Sequence, residues 1–256
     1  MNLFSAEVNI LWPALIAGLL VVVSHVPLGQ QVLARGIVFI DLAIAQVAGL
    51  GVIVAHRFDV GVGGWTTQMA AVAAALAGAM LLTWTERKRP EAQEALIGIL
   101  FVLASTAQIL VLANDPHGGE DLRDLLAGQI LWVSADQLIR TAVITAIFAV
   151  VWFLWRERIG RIGFYVLFAL MVTAAVQLVG VYLVFTSLII PAVATYRRAA
   201  KRQLLIGYAM AAASYIVGLA ASVVTDLPSS PVIVWAMALI GLVVHATGNE
   251  RRPVSA

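Results

Sequence analysis

Eight apolar runs, each followed by a short polar break, leave this chain few ways to fold. They extend from Ile10 to Leu28, Gly36 to Ala55, Trp65 to Thr85, Ala95 to Ala113, Leu138 to Trp155, Ile162 to Ile190, Leu204 to Val224 and Val232 to Val244. A helix needs ~20 such residues to cross a ~30 Å hydrocarbon core, and most of the runs supply close to that number. Hydrophobic residues fill 62% of the 256 positions and charged ones 12%, where soluble domains average about 45–50% and about 25%. A soluble globule is therefore excluded. The runs do not alternate at period two, so they are helices and not barrel strands. The reading is an all-α, polytopic membrane protein of about eight transmembrane helices, a single domain over residues 1–256. Met1 to Asn9 carries Glu7 and no basic residue, unlike a secretory leader.

One run breaks the pattern. Ile162 to Thr195 is too long for one span and too short for two, with Gly180 in its middle and Pro191 near its end. It reads as a full helix to about Val179, a break, and a short leg returning: one broken helix pair. Broken helices survive in membranes where they pack within protein or line a cavity.

The formal net charge of +2 follows topology better than it follows any anionic partner, and no nucleic-acid-binding face is present. With the N-terminus outside and Ile162–Thr195 counted out and back, internal segments hold Arg35, Arg87, Lys88, Arg89, Arg156, Arg158, Arg161, Arg197, Arg198, Lys201, Arg202, Arg251 and Arg252. Only Arg57, Arg123 and Arg140 fall outside, thirteen basic residues against three. A single kinked helix over 162–195 would instead part the Arg156–Arg161 and Arg197–Arg202 groups. The chain has no cysteine, which removes disulfides, thiolate metal sites and cysteine nucleophiles together.

Three stretches carry a likeness in chain order. The first is Ala95-Leu96 with Gly98-Ile99-Leu100, followed by Leu126-Ala127-Gly128-Gln129-Ile130-Leu131. The second is Val179-Gly180-Val181-Tyr182-Leu183-Val184 running into Ile189-Ile190-Pro191-Ala192, and the third is Asp226-Leu227-Pro228-Ser229-Ser230-Pro231. Together they resemble the permease subunits of the zinc/manganese family of ABC importers, of the type II architecture. The resemblance implies a homodimer in the bacterial inner membrane, a cytoplasmic ABC ATPase pair and an external solute-binding protein. It implies transported Zn2+ or Mn2+, zinc favoured, with no permanently bound cofactor and ATP on the partner subunit. The absence of a Gly-x-x-x-x-Gly-Lys-Ser/Thr loop agrees with energy supplied by another chain, and the protein is not read as an enzyme. The resemblance also makes Pro191 to Arg202 the coupling element, with Pro191 and Ala192 setting its turn and Arg197, Arg198, Lys201 and Arg202 meeting the ATPase. The other reading of those basic residues is a topogenic loop.

Ionisable residues inside spans are costly unless paired or hydrated, so each is a candidate site. Asp41 and His25 are two, placed at comparable depth on consecutive helices. Carboxylate and imidazole suit zinc or manganese, and they equally suit an Asp–His pair stapling two helices. Here the chain departs from the family it resembles. The usual second helix carries Gly-Asp-Ala-Leu/Ile-Ser/Ala-His, and an ungapped alignment through Gly51 puts Leu42 at the acid and Gln46 at the histidine. Asp41 is one residue off, a rotation of about 100°. The transport-path candidates are thus Asp41, His25 and Gln46, with Gln108 and Gln177 either lining the path or bridging helices. The external loop Asn114–Asp124 holds four acids and a histidine in eleven residues. Within it His117, Glu120 and Asp121 form a candidate waystation, a docking surface or a solvated turn, with a short helix running to Gly128. His56 and His245 read as interfacial. Two rival functions remain: a permease for an iron chelate or cobalamin-like solute, and an intramembrane lipid enzyme, which would need more ionisable groups at one interface than this chain provides.

Overall fold

In the computed structural model the backbone is described for residues 3–57, 64–113, 115, 117–155 and 158–248, and side chains for the same residues except 3–10, 64 and 121. Ten α-helices lie among them: α1 (Leu3–Arg35), α2 (Ile40–Arg57), α3 (Gly64–Lys88), α4 (Gln93–Leu112), α5 (Gly118–Ala127), α6 (Ala135–Trp155), α7 (Arg161–Val179), α8 (Val181–Thr195), α9 (Ala200–Thr225) and α10 (Ser229–Ala246). Eight are long and apolar enough to cross a membrane, and α5 and α8 are the short ones. The described residues contain no strand.

Burial divides the spans. The helices α7 and α8 form the centre, with Phe164, Phe168, Val172, Leu183, Val184 and Leu188 almost fully enclosed. In α4, α6 and α10 large apolar side chains such as Leu103, Leu110, Ile147, Phe153, Leu239 and Leu242 face outward. Water would not tolerate that much contiguous apolar surface, whereas lipid does. Lipid also removes the hydrophobic drive between helices, so close contact depends on small residues. Gly51 of α2 rests on Ala70 and Ala74 of α3, and Gly78 of α3 on Ile44 and Val47. Pro27 deprives the Val23 carbonyl of its helical N–H, and the Tyr208 hydroxyl of α9 donates to that oxygen at 3.0 Å.

The broken pair is present. Gly180 sits at φ 83, a conformation favouring glycine, between α7 and α8. Gly128, at φ 70, ends α5 against it: a Cβ on Gly180 would lie 2.6 Å from the Gly128 Cα. The 15 residues of α8 extend about 22 Å, short of a full crossing. They do return. One cavity of about 550 Å³ is lined by Arg35 of α1, Phe164 at the start of α7, and Tyr196 and Gln203 beyond the end of α8. A single kinked helix would have put Phe164 and Tyr196 at opposite ends.

That end gathers the basic groups. Arg35 lies over the Phe164 ring at 4.1 Å, Arg161 pairs with Glu86 at 3.4 Å, and Arg198 reaches the end of α10. Arg57 lies at the opposite end, lining one cavity with Asp115 and Asp124. Arg156, Arg251 and Arg252 lie outside the described residues.

Candidate transport site

The first span does not stop near Leu28. It continues as helix to Arg35, and α2 begins at Ile40. His25 is therefore ten residues, about 15 Å, from the end of α1, while Asp41 is in the first turn of α2. The two are not at matched depth, and their helices choose different neighbours. The helix α1 packs on α8, α9 and α6, whereas α2 packs on α3 and α4. No ion pair among the described residues joins Asp41 to His25, so the Asp–His staple is absent.

Each group instead keeps one buried atom without a hydrogen-bond partner. Asp41 is 1% exposed and its Oδ1 has no hydrogen-bond partner. The nearby Glu94 of α4 accepts from the Phe39 N–H at 3.2 Å, favourable for a carboxylate at a helix N-terminus. His25 is wholly buried, with Nδ1 3.0 Å from the Val21 carbonyl and 2.9 Å from the Ser24 hydroxyl. A carbonyl can only accept, which puts the ring proton on Nδ1 and a bare lone pair on Nε2. That nitrogen has no partner.

Gln46 is engaged. The Gln108 amide nitrogen of α4 donates to the Gln46 carbonyl at 2.7 Å and to its side-chain oxygen at 2.9 Å. Gln108 thus bridges α2 to α4, while its own Oε1 is buried without a partner. Leu42 lines an apolar groove with Phe39, Ala95, Gly98, Phe101 and Val102, where a carboxylate would have no counter-charge. Gln177 of α7 points out of the core into two adjoining cavities of about 680 and 770 Å³ at the end opposite the basic one. The first is also lined by His56, Asp115, Asp124, Gln129 and Gln137. The sequence reading missed this cavity because its polar groups come from separate helix ends, where no spacing connects them.

His117 and Glu120 are exposed at the start of α5, where the His117 N–H donates to Asp115 Oδ1 at 2.9 Å. The Asp121 side chain lies outside the described residues. Among the described residues no group of three or more His, Asp or Glu forms a metal-binding cluster.

The coupling segment needs correction. Pro191 and Ala192 do not set a turn; both are buried inside α8, and the link to α9 is Tyr196–Ala199. Membrane helices tolerate an internal proline because neighbouring groups meet the freed polar atoms. The basic residues also differ in employment. Arg198 donates to the Val244 carbonyl at 2.9 Å and so caps α10, while Arg197 is exposed and donates to the Tyr196 hydroxyl at 2.8 Å. The Tyr196 ring stacks on His245 at 5.9 Å.

Residues 7–164 and 156–248 match the ABC 3 transport family, which accounts for nearly the whole chain. The chain belongs to the ABC 3 transport family. This permease is accordingly a transporter membrane subunit, and ATP hydrolysis belongs to a separate subunit. Its fold is similar to PsaBC from Streptococcus pneumoniae, solved in complex with Fab, with a TM-score of 0.78 at 20% identity over 98% of both chains. It is also similar to an ABC transporter described as of metal-chelate type, in an inward-facing conformation. There the TM-score is 0.60 at 15% identity, over 93% of this chain and 82% of that one.

Proposed function

We propose that this permease works as a homodimer in the bacterial inner membrane, passing a divalent transition metal from a periplasmic binding protein to the cytoplasm. Zinc is the favoured cargo and manganese the next. The basic end faces the cytoplasm and meets the ATPase through the Tyr196–Ala199 link, with Arg197, Lys201 and Arg202 around it; the cavity end receives metal from the binding protein. The observation that carries the metal reading is the unpartnered Asp41 Oδ1, a buried carboxylate oxygen within a span. The bare His25 Nε2 supports it with a nitrogen donor. A membrane interior keeps such groups open only where a cation, a proton or water completes them. An iron-chelate or cobalamin-like cargo is the second reading, favoured by the likeness to the metal-chelate type transporter.

Asp41→Asn tests the first reading, because it keeps shape and removes charge. No partner of Oδ1 is lost, so thermal stability in detergent should hold, while zinc or manganese uptake by the reconstituted transporter should fall at least about tenfold. His25→Asn, whose amide nitrogen can keep the Nδ1 bond to the Val21 carbonyl while the Nε2 donor is lost, should lower uptake alike. Full uptake by Asp41→Asn would take this carboxylate out of the path, and uptake of a chelate in place of free metal ion would favour the second reading.

A further inference from the structure

The bond between Gln108 and Gln46 leaves a remainder that helix bridging does not explain. The atom 2.7 Å from the Gln46 backbone carbonyl must be a donor, so the Gln108 nitrogen faces α2 and its oxygen points away. That oxygen is fully enclosed and has no partner. A bridge alone requires only the nitrogen, and a buried carbonyl-type oxygen left open is costly. The bridge therefore leaves this oxygen free to accept a further partner.

The surroundings say what could reach it. Gly49 of α2 has no side chain, and the space its Cβ would fill is bounded by the Gln108 nitrogen at 3.1 Å and by Leu125 of α5 at 2.5 Å. Leu125 also lines the outer cavity of about 680 Å³, together with Asp115, Asp124, Gln129 and Gln177. Leu125 therefore borders both the polar vestibule and the space beside the Gln108 amide. Its helix is short and ends at Gly128, the glycine seated against Gly180. An occupant must offer a donor or a positive charge to an amide oxygen, be small, and arrive from the vestibule.

We propose that Gln108 Oε1 is a ligand for the divalent cation in transit, sealed from the outer cavity by Leu125. The inference rests on the metal reading above and adds to it a neutral oxygen ligand on α4. A neutral amide oxygen binds a divalent ion weakly, which suits a group that must release its cargo.

The test uses the complete transporter, with its ATPase and binding protein, in proteoliposomes, measuring initial uptake against Zn2+ and Mn2+ concentration beside thermal stability. Gln108→Leu removes both nitrogen and oxygen and should raise KM at least about tenfold for the transported metal. Gln108→Glu retains an oxygen at the open position and should keep KM at or below the wild-type value even where stability falls. Leu125→Ala should raise uptake in the absence of the binding protein several-fold. Wild-type KM in Gln108→Leu, or equal losses in Gln108→Leu and Gln108→Glu that follow stability alone, would reduce Gln108 to a helix bridge and overturn the assignment. If Gln108→Leu fails to fold, a raised KM in Gln108→Glu overturns it. A wild-type transporter that moves neither metal would remove the metal reading itself, a distinct failure.

Discussion

The two ends of this permease are built by opposite rules. At the basic end several helix termini are tied to one another. Gln93 donates to the Leu82 carbonyl at 3.0 Å and to the Tyr165 hydroxyl at 3.3 Å and accepts from Thr85 at 2.9 Å, joining α3, α4 and α7. Glu86 meets Arg161, Arg35 covers Phe164, and Arg198 caps α10. At the opposite end His56, Gln137 and Gln177 surround open cavities, and the Asp136–Arg140 pair is a single-helix contact with Asp136 well exposed. There the tight element is the apposition of Gly128 and Gly180. A bonded end can carry displacement from an ATPase as one body, while a hollow end can admit and position a small ion. Under the import reading proposed above, that difference follows the direction of work.

Several substitutions would break or sharpen that contrast. The largest effect belongs to Gly180→Ala. The methyl would enter a positive-φ residue and collide with Gly128, so a loss of roughly 2–4 kcal/mol is expected, seen as a failure to purify as a monodisperse species. Next is Gln93→Leu, which orphans the groups that Gln93 joins and should cost about 2–3 kcal/mol in detergent unfolding. Gln177→Leu at the hollow end should cost within ~0.5 kcal/mol. Equal losses in the two would erase the contrast. Between the Gln93 and Gln177 effects, Arg198→Gln removes the α10 cap and should cost about 1 kcal/mol, whereas Arg197→Gln should leave stability unchanged and separate ATP hydrolysis from uptake. A stability loss in Arg197→Gln with uptake intact would reverse their roles. No stability change at all is expected from single cysteines placed at His117 or Ala200 in this cysteine-free chain. An impermeant thiol reagent should label the first from outside intact cells and leave the second unlabelled.

Much of the architecture was legible in residue order. The eight apolar runs became eight spans, and Gly180 marked the break because few other residues adopt its backbone angle without strain. The short helix to Gly128 was likewise visible, from acids at its start and glycine at its end. Span ends were less legible. The apolar run beginning at Ile10 ends near Leu28, yet α1 runs to Arg35, because Gln30 and Gln31 are good helix formers and lie beside a cavity instead of lipid. That shift separated His25 from Asp41 in depth. Pro191 read as a turn because proline ends helices in water, whereas here it is packed inside α8.

The sequence by itself determined the class of molecule, the number of spans, the broken pair and the side that gathers basic charge. Each follows from local quantities: transfer of apolar residues into lipid, backbone freedom at one glycine, and the cost of moving cations across a bilayer. Tertiary structure alone decided which helices are central, which polar groups meet, and which remain open. Apolar residues face lipid and protein core alike, so hydropathy could not distinguish buried α8 from peripheral α4. Nor could it show that Gln108 satisfies Gln46 while leaving its own oxygen bare, since a hydrogen bond between residues 62 positions apart depends on how α2 and α4 pack and not on either segment alone.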